Sequence, residues 1–356
     1  MLYARDGGLS LKTDADYRAL SFWHDSVADD LTPRPPLDAD LTVDVAIIGG
    51  GPGGLYFAAL AKQLDPTREV VVWERNAAAD TFGFGVVFSD ETLGGIENAD
   101  PVIGQQMSER FARWTDIDIS FAGEAFTVGG QGSAAMSRKE LLQHPQPRAI
   151  ALGVDVRFSQ LAPNAAELAT EYDLVIAADG LNSATRAQFS EVFQPTLDVR
   201  ASKYMWLGTD RVFEAFTFIV KSTPHGVMQI HGYPYSDDGS TFIVEMHEDV
   251  WRRVGFDATE DESVARIIDL FADELGGHRI LTNNSKWLNF TTVSNAHWSH
   301  GNIVLLGDAA HTAHFSIGSG TKLAMEDALA LAACLHEHPD VSTALGWQGP
   351  GELCAL

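Results

Sequence analysis

Apolar residues in this chain fall into two textures. Val45–Ile48, Val70–Trp73, Val154–Phe158, Asp173–Ala178 and Asn302–Leu306 are short, nearly unbroken apolar runs. They lack the alternation of a half-solvated strand and predict strands buried on both faces, as in parallel sheets. Between the first two, Leu55–Leu64 predicts a helix. Another is expected over Pro101–Trp114, where Val102, Met107, Phe111 and Trp114 share a face. Ser137–Leu152 has helical spacing, but an interior proline costs about 3 kcal/mol. With Pro145 and Pro147 inside it, the helix is expected to stop near Gln143, leaving an irregular link to the strand at Val154. From Asp198 to Val293 the texture changes to short β-rich runs: Tyr204–Gly208, Phe216–Val220, Val227–Tyr233, Thr241–Met246 and Leu288–Thr292. Asp237-Asp238-Gly239 is a hairpin signal between two of them, and Asp261–Leu275 predicts one helix. A last helix begins near Gly320, with Ala324, Ala328, Leu331 and Leu335 on its apolar face.

This order predicts an α/β fold, a Rossmann-like domain interrupted by a mostly antiparallel β-sheet substrate domain. The expected boundaries are 41–197 and 294–340 for the discontinuous first domain and 198–293 for the insertion. Residues 1–40 read as an extended leader, since Pro33, Pro35 and Pro36 sit among acidic residues. Residues 341–356 read as a truncated C-terminal tail.

Charge narrows the partners. The 356 residues carry 49 acidic and 24 basic side chains, a formal charge of -25. Nucleic acid is therefore not an expected partner, because phosphate backbones require a basic face. Cys334 and Cys354 make no disulfide framework, and Met1–Asp40 has no apolar core of a signal peptide. The expectation is a cytoplasmic protein. Val45–Ala61 carries no charge, but its glycines and proline argue against a membrane span.

The chemistry starts at the first strand. Val45–Ile48 runs into Gly49-Gly50-Gly51-Pro52-Gly53-Gly54, a helix follows, and the second strand ends at Glu74-Arg75. Strand, glycine turn, helix and acidic strand tip form a dinucleotide-binding unit. Gly49 turns the chain sharply, Gly51 lets backbone approach a pyrophosphate, and Gly54 lets the helix pack on the sheet. The helix N-terminus faces the phosphates, and Glu74 can accept from ribose hydroxyls. A glycine-rich turn without a ligand is the competing reading, but five glycines are entropically costly for an ordinary turn. Two further strand ends carry polar groups: Asp179-Gly180 with Ser183 and Arg186, and Gly307-Asp308 before the last helix. An Asp there can accept from a flavin's ribityl chain. The helix beginning at Gly320 points its positive end, with the N–H groups of Thr321 and Lys322, toward a reduced flavin ring. The loop Thr81–Phe88, with glycines between aromatics, suggests backbone passing close to a flat ligand or, equally, a turn in the core.

Together these three motifs resemble the single-component FAD-dependent aromatic hydroxylases, the flavoprotein monooxygenases. Gly49, Gly51 and Gly54 with Glu74 match the family's ADP-binding fingerprint. Asp179, Gly180, Ser183 and Arg186 match its second motif, which touches FAD and the nicotinamide cofactor. Gly307, Asp308, Gly318 and Gly320 match its third, and Arg138 stands where an FAD-contacting Arg is common. Gly83–Asp90, Tyr204–Thr209, His225–Gln229 and His314–Gly318 look like the subgroup acting on aryl-CoA thioesters of the salicylyl-CoA and 2-aminobenzoyl-CoA type. The resemblance implies reduction of FAD by NAD(P)H, reaction with O2 to a C4a-hydroperoxyflavin, and hydroxylation of an aromatic ring. A free aromatic or indole substrate, or a flavin-binding fragment without turnover, are the alternatives. A base near the substrate would help such a reaction; His225, His231 and Tyr233 are the catalytic candidates, with Tyr235, His311 and His314 nearby by position. The histidines show no metal-ligand spacing. Lys203, Arg252, Arg253 and Lys286 are candidate partners for a CoA phosphate. The oligomeric state is left open.

Overall fold

The computed structural model describes residues 2–5, 8–11, 44–121, 123–318, 320–338 and 340–346. Phe22, Trp23, most of the predicted leader, Cys354 and the last ten residues lie outside these. Part of the segment read as extended is a short antiparallel hairpin, Leu2–Arg5 with Gly8–Leu11.

The first sheet runs Ser299–His300, Ile303–Leu305, Leu174–Ala177, Val45–Ile48, Val70–Glu74, Asp155–Phe158. All neighbours are parallel except the first pair. Alternate residues enter different cores. Val45, Ile47, Val70, Val72, Leu174 and Ile176 pack on one side; Ala46, Val71, Trp73, Val175 and Ala177 pack on the other. Burial on both faces explains the unbroken apolar runs. The helix Pro52–Leu64 lies on the first side and is buried from Pro52 through Ala61, between the sheet and the helices Gly320–Glu337 and Pro145–Ala151.

The second sheet is mostly antiparallel. Its central strands are Pro195–Thr209, Gly239–His247, Gly226–Ser236 and Phe216–Thr223, with Trp287–Asn295 paired to the first of these. Ser236 pairs with Gly239 across the Asp237-Asp238 turn. Met205, Leu207, Ile230, Phe242 and Val244 face a core closed by helices Glu248–Val254 and Glu260–Leu270. Tyr204, Trp206, His231, Tyr233, Ile243 and Glu245 occupy the opposite face by strand alternation.

Four expectations are corrected. The helix at Pro101 ends at Ser108, and Trp114 belongs to the strand Ala112–Phe121. Trp114 is buried against Tyr233 of the second sheet, a contact that local spacing does not contain. The second sheet also takes in Gly85–Ser89 and Glu124–Ser137 from well before residue 198. Much of Glu124–Ser137 is glycine-rich and exposed, so ladder pairing rather than an apolar pattern holds it. Finally, Pro145 opens the helix Pro145–Ala151 instead of leaving an irregular link. Proline at the first helical position removes an N–H that has no intrahelical partner anyway. The single helix expected over 261–275 is broken at Phe271, which is fully buried, giving Glu260–Leu270 and Ala272–Leu275.

Asp100 ties the fingerprint helix to its neighbours. It is fully buried; Oδ1 accepts from the N–H groups of Val102 (3.0 Å) and Ile103 (3.3 Å), capping their helix. Oδ2 accepts from Gln63 Nε2 (2.6 Å) and Arg148 Nε (2.9 Å). Asp100→Ala should destabilise the protein by about 2–3 kcal/mol, combining a lost cap with a broken ion pair whose Arg is partly solvated. Urea denaturation would measure this. A loss below about 0.5 kcal/mol, the usual range of surface changes, would show that packing alone joins these helices.

Candidate active site

The glycine turn is shaped by contact with backbone. Gly49 has φ +111°, and a Cβ there would lie 2.2 Å from the Ala178 carbonyl oxygen. At Gly54 a Cβ would lie 2.3 Å from the Gly49 oxygen, and at Gly53 2.7 Å from the Ala324 oxygen. Gly51 differs: a Cβ there would meet nothing within 4 Å. It caps the helix, and the N–H groups of Gly53 and Gly54 precede the first intrahelical bond, from Leu55 to Gly51 at 3.0 Å. Those donors and the open space beside Gly51 form a phosphate cradle. Glu74 braces the turn, accepting from the Gly50 N–H (2.8 Å) with one oxygen and from Asn76 N–H (2.8 Å) and Nδ2 (2.7 Å) with the other. Arg75 beside it is exposed.

At the second strand end, Asp179 accepts from the Thr185 N–H at 3.2 Å, while its Oδ1 is buried without a partner. Gly180 and Leu181 line the cavity described below. Ser183 caps the next helix through the Arg186 N–H at 2.9 Å. The Arg186 guanidinium is buried and donates to the carbonyls of Ala309 (3.0 Å), Asp308 (3.4 Å) and Leu181. Arg186 therefore joins two backbone segments and does not line the cavity, contrary to its expected cofactor contact. Burial lowers its pKa and Asp179 opposes that.

The third segment is latched by Asp327. This buried carboxylate accepts from the Gly307 N–H at 2.9 Å and holds His311 Nε2 at 3.0 Å. Burial alone would lower the His311 pKa; the hydrogen bond and charge of Asp327, with the charge of Asp308, outweigh it and raise it. Asp308 is surrounded by protein, yet its carboxylate is open to the cavity. Burial raises its pKa, partly offset by Arg138 and His311. Arg138 faces the same space, its pKa lowered by burial and raised by Asp308 and Tyr233. Gly320 and Thr321 line the cavity, whereas the Lys322 ammonium turns to Glu326 at 3.7 Å.

One cavity of about 400 Å³ joins these parts. It extends from the Gly51–Gly54 turn past Gly180 and Gly307–Asp308 to Tyr204, Trp206, Tyr233 and Ile243 on the second sheet, with Phe290 and Phe315 closing its side. Of the three catalytic candidates, Tyr233 alone lines it. Its hydroxyl donates to the Gly85 carbonyl at 2.9 Å, and burial pushes the phenol far above its usual range. The Tyr233 hydroxyl hydrogen is thus committed to a backbone carbonyl. His231 is buried behind the wall, its Nε2 3.0 Å from Glu245 and its ring 5.4 Å from Phe315. His225 sits at a hairpin turn, where its carbonyl accepts from Arg253 at 2.8 Å, away from the cavity. The four candidate cations do not meet: Lys203 bonds Asn289, Arg252 pairs with Glu248 at 2.8 Å, Arg253 is used as above, and Lys286 lines the cavity. Sequence reasoning missed Asp327 and Asn283, whose roles arise from distant backbone; Trp206 had a signal, as a large aromatic alternating with Tyr204.

Residues 152–340 match the family model described as FAD binding domain. Salicyloyl-CoA 5-hydroxylase from a Streptomyces species is 49% identical over 302 residues, covering 82% of this chain and 58% of that protein. The chain thus spans little more than half the length of that relative. The 3-hydroxy-4-methyl-anthranilyl-[aryl-carrier protein] 5-monooxygenase of Streptosporangium sibiricum is 37% identical over 301 residues, covering 85% of this chain and 81% of its own. Among solved structures, a variant of 2-methyl-3-hydroxypyridine-5-carboxylic acid oxygenase has the same fold, with TM-score 0.71 at 20% identity over 86% of this chain and 85% of that one. A Rossmann-like nucleotide domain joined to a β-sheet at one cavity is the architecture of a flavin monooxygenase. The chain belongs to the FAD-dependent monooxygenase family.

The residues present fit FAD: an open cradle at Gly51, an orphaned Asp179 oxygen, and Asp308 directed into the cavity. No helix among the described residues is long and apolar enough to cross a membrane.

Two predictions follow from this geometry. Gly51→Val should leave the melting temperature of flavin-free protein unchanged but abolish FAD retention, because its side chain fills only the space the phosphates need. Gly49→Ala should instead lower the melting temperature without FAD, through collision with Ala178. Equal effects of both on flavin-free protein would discard the cradle. The raised His311 pKa makes its pairing stabilising below about 6.5, the ordinary histidine value, and this stabilisation is lost as pH rises through the folded value. Melting temperature should therefore fall with pH from neutrality upward in the parent by more than in His311→Gln. Parallel curves would remove the ion pair from the account.

Proposed function

We propose that this chain is an FAD-dependent monooxygenase that hydroxylates an electron-rich aromatic ring, carried as a thioester of the salicyloyl-CoA or 2-aminobenzoyl-CoA type, with NAD(P)H and O2 as co-substrates. The observation that carries this reading is the single cavity joining a nucleotide cradle to an aromatic-walled sheet face. When bound, FAD supplies the redox chemistry, taking electrons from the nicotinamide and activating O2. The chain's residues place and shield the reactants. Gly51, Gly53 and Gly54 would receive the pyrophosphate, and Asp308 would accept from ribityl hydroxyls. Arg138 favours the ionised form of Asp308 despite its burial. Thr321, in the first turn of an 18-residue helix, lines the cavity where its N–H and the helix's positive end would favour negative charge on a bound flavin. Tyr204, Trp206, Phe290 and Phe315 line the part of the cavity that would take an aromatic substrate. With the Tyr233 hydroxyl hydrogen committed to the Gly85 carbonyl, the electron-donating hydroxyl or amine comes from the substrate, and the protein contributes orientation.

The names of two relatives support the thioester. One is a hydroxylase of a salicyloyl-CoA, the other a monooxygenase of an anthranilyl group on a carrier protein. Both describe aromatic acids activated at the carboxyl carbon.

The test uses protein loaded with FAD and follows NAD(P)H oxidation and label from isotopic O2. Salicyloyl-CoA or 2-aminobenzoyl-CoA should stimulate oxidation and yield a labelled hydroxylated thioester, with kcat/KM at least about tenfold above the free acid, the factor that one charged contact supplies. Hydroxylation of the free acids with no preference for the thioesters would discard the thioester. Stimulated oxidation of NAD(P)H without labelled product would discard hydroxylation.

A further inference from the structure

A second cavity, of about 650 Å³, adjoins the first. Phe82, Gly83 and Asn283 line both, so the loop carrying Phe82 and Gly83 is a partition between them. The partition is held from its far side. Asn283 Nδ2 donates to the carbonyls of Thr81 (3.1 Å) and Gly83 (2.9 Å), and Ser285 Oγ donates to the Trp206 carbonyl at 2.6 Å. Gly83 has φ +78°, and a Cβ there would lie 3.3 Å from the Trp206 ring, so the backbone crosses the face of an aromatic wall of the first cavity.

The two spaces differ in chemistry. Aromatic faces dominate the sheet end of the first, whereas Thr81, Ser137 and Tyr235 bring hydroxyls to the second, and Lys139 brings a cation. Asp80 also lines it, with one carboxylate oxygen 3.0 Å from the Ala77 N–H. Consecutive residues thus contribute a cation to each cavity, Arg138 to the first, which Lys286 also lines, and Lys139 to the second. Phe82, half exposed, lines both cavities where they adjoin. In a chain of net charge -25, a polyanionic substrate needs local positive charge to be held.

We infer that the second cavity receives the phosphopantetheine arm of the substrate thioester, with Lys139 meeting its phosphate, while the aryl group lies beyond Phe82 against Trp206. The inference rests on the thioester reading of the preceding subsection. The arm is common to CoA and to carrier proteins, which is why one channel suits both thioester types. Its amides and hydroxyl match the polar wall, and its dimethyl carbon matches Phe82.

The experiment compares one aromatic acid as its CoA, phosphopantetheine and pantetheine thioesters. The parent should show a KM for the pantetheine ester about tenfold above that of the phosphopantetheine ester, the factor for one charged contact. CoA and phosphopantetheine esters should have similar KM. Lys139→Ala should bring the pantetheine-to-phosphopantetheine ratio close to one, and Lys139→Arg should restore it. Lys286→Ala, removing one of the two cations of the first cavity, should leave the ratio as in the parent. A ratio insensitive to Lys139→Ala, or lost in Lys286→Ala instead, would overturn the channel. So would a large preference for CoA over the phosphopantetheine ester, since recognition would then lie in the nucleotide. Each of these leaves thioester hydroxylation standing. Turnover of the free acid with none of the three thioesters would instead remove the preceding reading and the channel with it.

Discussion

Backbone oxygens stand where side chains on the glycine turn would have to go, and the rest of the site depends on that closeness. Gly49 meets the Ala178 carbonyl, Gly54 meets the Gly49 carbonyl, and Gly53 meets the Ala324 carbonyl. The fingerprint strand, the Asp179 strand and the closing helix can converge only because hydrogen replaces Cβ at these points. Convergence brings three separated segments to one rim of a parallel sheet, which is where such sheets bind ligands. Gly51, the member with empty space before it, then becomes the one free to face a phosphate.

Charge in the site is largely spent on backbone. Arg186 holds three carbonyls, Asp327 holds the Gly307 N–H and His311, and Glu74 holds Gly50 and Asn76. Each fixes a turn that a ligand would otherwise have to order on binding, so the cavity is preorganised. What remains directed into the space is sparse: Arg138 beside Asp308 at one end, and Lys286 near the other. A mostly uncharged, aromatic-walled space suits an aromatic ring, and the paired charges suit the polar chain of a flavin.

The second sheet acts as the opposite wall. Its two faces serve different ends: one is a packed core with helices, the other carries Tyr204, Trp206, Tyr233 and Ile243 into the cavity. Because side chains alternate, a slip of one residue would exchange these sets. The Gly85 carbonyl bonded to Tyr233 and the Thr241 hydroxyl bonded to the Gly85 N–H tie the early strand to that register.

The sequence by itself determined the nucleotide fingerprint, the buried parallel strands and the helix after Gly307. These are encoded locally, in runs whose burial on both faces leaves no polar alternation and in glycines at fixed spacing. It also contained the hairpin at Asp237-Asp238. Tertiary structure decided what local spacing cannot express. Trp114 became a strand residue that packs on Tyr233, and the exposed, glycine-rich part of Glu124–Ser137 became a strand through ladder pairing. Arg186 turned from a ligand candidate into a strut because carbonyls more than 120 residues away surround it. His225 and His231 lie outside the cavity, one at a turn and the other, on the same sheet face as Tyr233, packed against Phe315 and paired with Glu245, tertiary contacts that residue type does not encode. The partition at Phe82–Gly83, held by Asn283 from about 200 residues along the chain, exists only once both sheets have folded around it.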